Sequence, residues 1–134
     1  MDAELIRLVW QRAGSCCEYC RLPQEYDDRP FEIDHIISRK HKGPTVPRNL
    51  ALSCFRCNSF KGSDISGLDT VTHKLTPLFN PRRHKWSRHF RWEGAYLVGR
   101  TAIGPVTVAL LKINDPFRVE LRQELIEEGV FPPA

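Results

Sequence analysis

Apolar residues first recur at helical spacing: Leu5, Ile6, Val9, Trp10 and Ala13 share one side of a helix predicted over 3–13. Asp2 is placed to cap this helix and Gly14 to end it. Phe31, Ile33, Ile36 and Ile37 predict a short, mostly buried strand, interrupted by Asp34 and His35. Adjacent strand residues point to opposite faces, so a carboxylate and an imidazole in an apolar strand need a reason. Lys42-Gly43-Pro44 and Val46-Pro47 signal a loop, residues 48–53 a returning strand, and residues 54–62 a helix with Ser53 as N-cap. Residues 63–76 are polar and read as a connector or short helix. Over 82–90, a helix would put Arg82, Lys85 and His89 on one face and Trp86 and Phe90 on another. A small hairpin over 91–98 and a buried helix over 103–113 follow. Asp115-Pro116 opens a last helix with Phe117, Leu121 and Leu125 at four-residue spacing and Gly129 beyond it. This mixture predicts a small α+β domain without repeats or a dividing linker.

The length of 134 residues suits one domain. The longest uninterrupted apolar run, 108–111, is far short of the roughly 20 residues that cross a bilayer, so no membrane partner is expected. The first residues lack a basic and apolar leader pattern, which makes a cytoplasmic protein with reduced cysteines the expectation.

The net charge of +4 is unevenly spread. Residues 38–62 hold six Lys or Arg and no acid, and residues 82–91 hold five more and no acid, leaving a formal −7 on the rest. Arg39, Lys40, Lys42, Lys61, Arg82, Arg83 and Lys85 are the candidate nucleic-acid contacts in those stretches. His41 and His84 belong to the same basic segments, and His73 to a polar one.

Cys17-x2-Cys20 and Cys54-x2-Cys57 form two knuckles separated by 33 residues. Such a turn aims two thiolates at one point, and two turns complete the tetrahedron of a structural Zn²⁺. Four thiolates leave no open position, so this ion would support the fold and perform no chemistry. The leftover Cys16 reads as a small buried hydrophobe.

Asp34-His35, Asn49 fourteen residues after the His, and Cys54-x2-Cys57-Asn58-x2-Lys61 together resemble an HNH endonuclease with a zinc-supported ββα-metal core. The resemblance covers residues 17–62, so the chain reads as a single nuclease domain, 1–134, with a C-terminal helical extension over 77–134. Phe79-Asn80-Pro81-Arg82, Trp86, His89-Phe90 and Thr101-x-x-Gly are similar to the C-terminal part of small bacterial HNH proteins. The resemblance implies His35 as the general base, Asp34 and Asn58 as ligands of a catalytic divalent ion, and Asn49 as the amide that holds the base-bearing strand and loop. Asn58 stands where many members carry a second His, making this an HNN variant whose amide oxygen suits Mg²⁺ or Mn²⁺.

Those residue types match phosphodiester hydrolysis. An imidazole titrates at about pH 6.5 and can take a proton from water, while a divalent ion neutralises the phosphate and the departing oxygen. The expectation is a metal-dependent endonuclease acting on DNA, with double-stranded DNA as partner. A zinc-ribbon DNA-binding or adaptor module without catalysis is the competing reading. It has no need of Asp34-His35 with Asn49.

Overall fold

The computed structural model describes residues 1–134. Helix α1, Ala3–Ala13, begins where Asp2 Oδ1 accepts from the Leu5 amide at 2.8 Å and ends at Gly14 in the left-handed region, as its sequence predicts. Val9 is fully buried, and Trp10 stacks on Phe31 with ring centroids 6.3 Å apart. The helix reaches the next layer through Arg12, whose guanidinium donates to the carbonyls of Pro47 and Leu50.

Strands β1 (Glu32–His35) and β2 (Leu50–Ser53) pair antiparallel, with Asp34 opposite Ala51 and His35 opposite Leu50. Every β2 residue is buried, which explains its apolar run. Helix α2, Phe55–Lys61, follows directly. Its N-cap is Cys54, not Ser53: the sulfur accepts from the Cys57 amide at 3.4 Å. The cysteine turn and the helix cap are therefore one structure.

Residues 63–76 do not form a connector. They contribute to a second hairpin, β3 (Ser66–Leu68) and β4 (Leu75–Pro77), with Gly67 opposite Thr76. The segment predicted as one helix over 82–90 is a turn followed by a single helical turn, α3 (Trp86–His89). Asn80 makes the difference, because its Oδ1 accepts from the amides of Arg82 at 2.9 Å and Arg83 at 3.3 Å. A third hairpin, β5 (Phe90–Glu93) and β6 (Tyr96–Gly99), packs with helix α4 (Ile103–Leu110). Gly104 is required there: a Cβ would lie 2.4 Å from Gly99 Cα.

Helix α5, Pro116–Glu127, starts with proline at N1 as expected; of the predicted stripe Leu125 is buried and Leu121 packs on the core, but Phe117 is not part of the buried face. Phe117 is 60 % exposed, whereas Arg118, Arg122 and Leu125 are buried. One apolar cluster joins α1, the first hairpin and the C-terminal elements, passing through Phe79 and Phe90, whose centroids lie 5.2 Å apart. No helix is long and apolar enough to cross a membrane.

Candidate functional site

The four sulfurs of Cys17, Cys20, Cys54 and Cys57 lie within 4.8 Å of one another, all buried. Two tight turns bring them there. The Cys17 amide donates to Leu22 O and the Arg21 amide to Cys17 O, both at 2.9 Å, with Arg21 left-handed at φ 68°. Metal–sulfur bonds of about 2.3 Å set tetrahedral edges of about 3.8 Å. The Cys20 and Cys54 sulfurs are separated by 3.8 Å, and no cysteine is in a disulfide. Soft donors at this spacing fit Zn²⁺. Cys16 is half-buried and outside the cluster, so it is not the core hydrophobe its sequence suggests.

Sequence reasoning misses Arg118, whose Nη2 lies 2.9 Å from Cys57 Sγ. Nothing in the α5 pattern marks this arginine as inward-facing, and the apolar spacing points to its neighbour Phe117.

Strand and helix meet face to face. Glu32 and Asp34, two apart on β1, share a face; Asn58 and Lys61, three apart on α2, look back at it. Asn58 Nδ2 donates to Glu32 Oε2, and Lys61 Nζ lies 3.2 Å from Asp34 Oδ1. The Tyr19 hydroxyl donates to Asp34 Oδ2 at 2.7 Å. Burial pushes the Asp34 carboxyl above its ordinary range, while Lys61, Tyr19 and His35 act in the opposite sense. Asp34 and Asn58 thus have different partners in this structure. Lys61 is not a surface cation: its ammonium is buried and also donates to the carbonyls of His35 at 3.4 Å and Ile36 at 3.1 Å.

His35 points to the opposite face of β1 and is half-exposed. Its Nε2 lies 2.9 Å from Thr45 Oγ1, which accepts from Arg39 Nη1 at 2.9 Å. Nδ1 has no protein partner. The loop carrying Thr45 is fastened by Asn49, which is buried. Asn49 Oδ1 accepts from the Ile37 amide at 2.9 Å, and Nδ2 donates to Ile37 O at 2.9 Å and Pro44 O at 2.8 Å. Gly43 completes this knot: a Cβ would lie 1.7 Å from Ile37 O, so only glycine permits the approach.

Arg39, Lys40, Lys42, Arg83 and Lys85 are exposed. Arg82 is more constrained: it pairs with the buried Glu18, which also accepts from the Leu52 amide at 2.8 Å. A groove of about 610 Å³ is lined by Arg48, Asn49, Lys61, Arg82, Arg83 and His84, among others. The Asn80 amide donates to His84 Nδ1 at 3.0 Å, so the neutral ring carries its proton on Nε2. The His84 and His89 rings are 5.0 Å apart. Burial lowers both pKa values, with Arg83 adding to the effect at His84, and His84 and Arg88 at His89.

Residues 17–64 match the family model described as HNH endonuclease. The chain is 30 % identical over 118 residues to the Septu protein PtuB of Bacillus thuringiensis, covering 87 % of this chain and 43 % of that protein. It is 31 % identical over 84 residues to tryptophan decarboxylase TDC1 of Camptotheca acuminata, covering 63 % of this chain and 15 % of that protein. The chain therefore spans less than half the length of the curated relatives it matches. No solved structure matches it significantly.

Proposed function

We propose that this chain, whose residues 17–64 form an HNH endonuclease domain, hydrolyses DNA phosphodiester bonds with His35 as general base. The observation that carries this reading is the bracing of His35: Nε2 is held by Thr45, and Nδ1 is free of protein partners. When Nε2–H donates to Thr45, the lone pair lies on Nδ1, where it takes a proton from water. The water oxygen then bonds to phosphorus as the bond to the 3′ oxygen breaks. The 3′ oxygen takes up a proton, leaving 5′-phosphate and 3′-hydroxyl ends. Asn49 acts by position, because it fixes the loop on which Thr45 sits.

Asp34 and Asn58 would hold a hard divalent ion, Mg²⁺ or Mn²⁺, with Glu32 adding an oxygen on the same strand face. Asn58 Oδ1 makes no protein hydrogen bond, which suits that role, whereas recruiting Asp34 requires loosening its contact with Lys61. Because Asp34 and His35 alternate across β1, such an ion would meet the phosphate from a different edge of the strand than His35, and would supply charge neutralisation there and at the departing oxygen. The four-cysteine centre holds zinc and is structural. The exposed Arg39, Lys40, Lys42, Arg83 and Lys85, with the groove beside Arg82, suit the backbone of double-stranded DNA. Five cysteines with no disulfide among them suit a reducing, cytoplasmic compartment.

Engagement of Asp34 by Lys61 favours the second reading, a zinc-supported DNA-binding module without catalysis. Plasmid nicking by the purified chain separates the two. Wild type should nick with Mg²⁺ or Mn²⁺ and stop with chelator, and His35→Ala should lose the activity while still binding DNA. Equal nicking by His35→Ala, or DNA binding with no nicking by either protein, defeats the endonuclease reading.

A further inference from the structure

Helix α5 buries two arginines one turn apart, Arg118 at 5 % exposure and Arg122 at 2 %. Neither pairs with a carboxylate. Arg122 is satisfied by oxygen alone, donating to Ala95 O and Ile113 O at 2.9 Å and to Asn114 Oδ1 at 3.1 Å. Arg118 gives Nη1 to Leu111 O at 2.8 Å and Lys112 O at 3.2 Å, and turns Nη2 onto sulfur. That nitrogen lies 2.9 Å from Cys57 Sγ and 3.9 Å from Cys54 Sγ.

A buried guanidinium needs its donors satisfied and is further stabilised by a counter-charge. The only anionic group Arg118 reaches is the four-cysteine centre. The need is mutual: one divalent ion among four thiolates leaves two negative charges, buried with the sulfurs. An N–H donor on a metal-bound thiolate withdraws electron density from the sulfur and lowers its reactivity toward electrophiles.

We propose that Arg118 is the counter-charge of the zinc centre: it protects the Cys57 thiolate and makes the docking of α5 depend on metal loading. This inference rests on the zinc reading above and extends it, because the four ligands of that reading all lie within residues 17–57. Here the ion also holds the C-terminal helix. Loss of zinc releases the sulfurs that Arg118 Nη2 contacts, so α5 loses its anchor on the cluster.

The test uses the full chain. Zinc is counted by mass spectrometry, and its release during N-ethylmaleimide treatment is followed with a chromophoric chelator. Arg118→Met should release zinc about 10- to 100-fold faster than wild type, with Arg118→Lys between them. Arg122→Met, which removes a buried arginine that makes no hydrogen bond to sulfur, should accelerate release much less than Arg118→Met. Equal acceleration in Arg118→Met and Arg122→Met, or none in Arg118→Met, overturns the inference. If Arg118→Met does not fold, hydrogen exchange of wild type decides: stripping zinc should expose the amides of 116–127, and unchanged protection there overturns it. A wild-type chain without zinc defeats the zinc reading and this inference together. A zinc-bearing wild type with slow release from Arg118→Met defeats this inference alone.

Discussion

Lys61 and Asp34 form a buried ion pair, with the ammonium 3.2 Å from each carboxylate oxygen and the two side chains 2 % and 4 % exposed. Lys61 ends α2 and Asp34 lies in β1, so the pair fastens the helix to the hairpin. Tyr19 ties the same carboxylate to the first cysteine turn.

Replacing Lys61 by Met therefore leaves a buried carboxylate without its cation, at a cost of about 3–5 kcal/mol. Urea denaturation should place Lys61→Met well below wild type, and Asp34→Asn with Lys61→Met should recover much of the loss. A Lys61→Met protein within about 1 kcal/mol of wild type contradicts the pair's structural role.

His35 faces away from that pair, and its ring is braced through Thr45. His35→Ala should lower nicking by about 10²–10⁴. Thr45→Val removes the oxygen that orients the ring without removing the base, so a smaller loss of about 10–10² is expected. Both variants should unfold near the wild-type midpoint, which plasmid assays run beside denaturation curves will check.

Much of this arrangement is legible in the chain. The Cys-x2-Cys spacing locates the four-sulfur cluster, and Asp2, Gly14 and Asp115-Pro116 mark helix boundaries, because short-range backbone chemistry decides both. Partnership across the fold is less legible. Lys61 reads as a phosphate contact because its helix neighbours are known, but its buried acid is 27 residues away. Arg118 and Arg122 look like solvated charges beside an apolar stripe; long-range sulfur and carbonyl acceptors turn them inward. The turn at 80–84 follows from one side-chain oxygen capturing two amides, which outweighs the helical periodicity of Trp86 and Phe90.

Asn49 uses both ends of its amide. Asn49→Ala strands the amide and carbonyl of Ile37 and the carbonyl of Pro44, each costing about 1–3 kcal/mol if left dry. Asn49→Asp keeps an acceptor for Ile37 N–H but cannot donate to either carbonyl, so it should be nearly as damaging. Both should also lose nicking, because the loop bearing Thr45 is released. Near-native stability of Asn49→Asp would show that water replaces the lost donors.

Exposed Arg83 and Lys85 lie outside the internal pairing that holds Arg82. If each meets one phosphate, replacing both with Ala should reduce the slope of log affinity against log salt by about 2. Fluorescence anisotropy at several salt concentrations measures that slope. An unchanged slope removes these two residues from the interface.

His84 and His89 give the stability a pH dependence of known sign. Burial lowers both folded-state pKa values below the unfolded value of about 6.5. As pH falls through that value, the unfolded chain takes up protons first, so stability is present above about pH 6.5 and is lost progressively below it. Asp34 acts oppositely. Its raised pKa lets the folded state bind its proton first, so this carboxyl adds stability as pH falls through its folded value. Acid loss beginning near pH 6 therefore belongs to the histidine pair and not to the buried acid. Melting temperatures between pH 7.5 and 5.5 should fall for wild type and flatten in His84→Gln with His89→Gln. A double variant as acid-sensitive as wild type would place the titrating groups elsewhere.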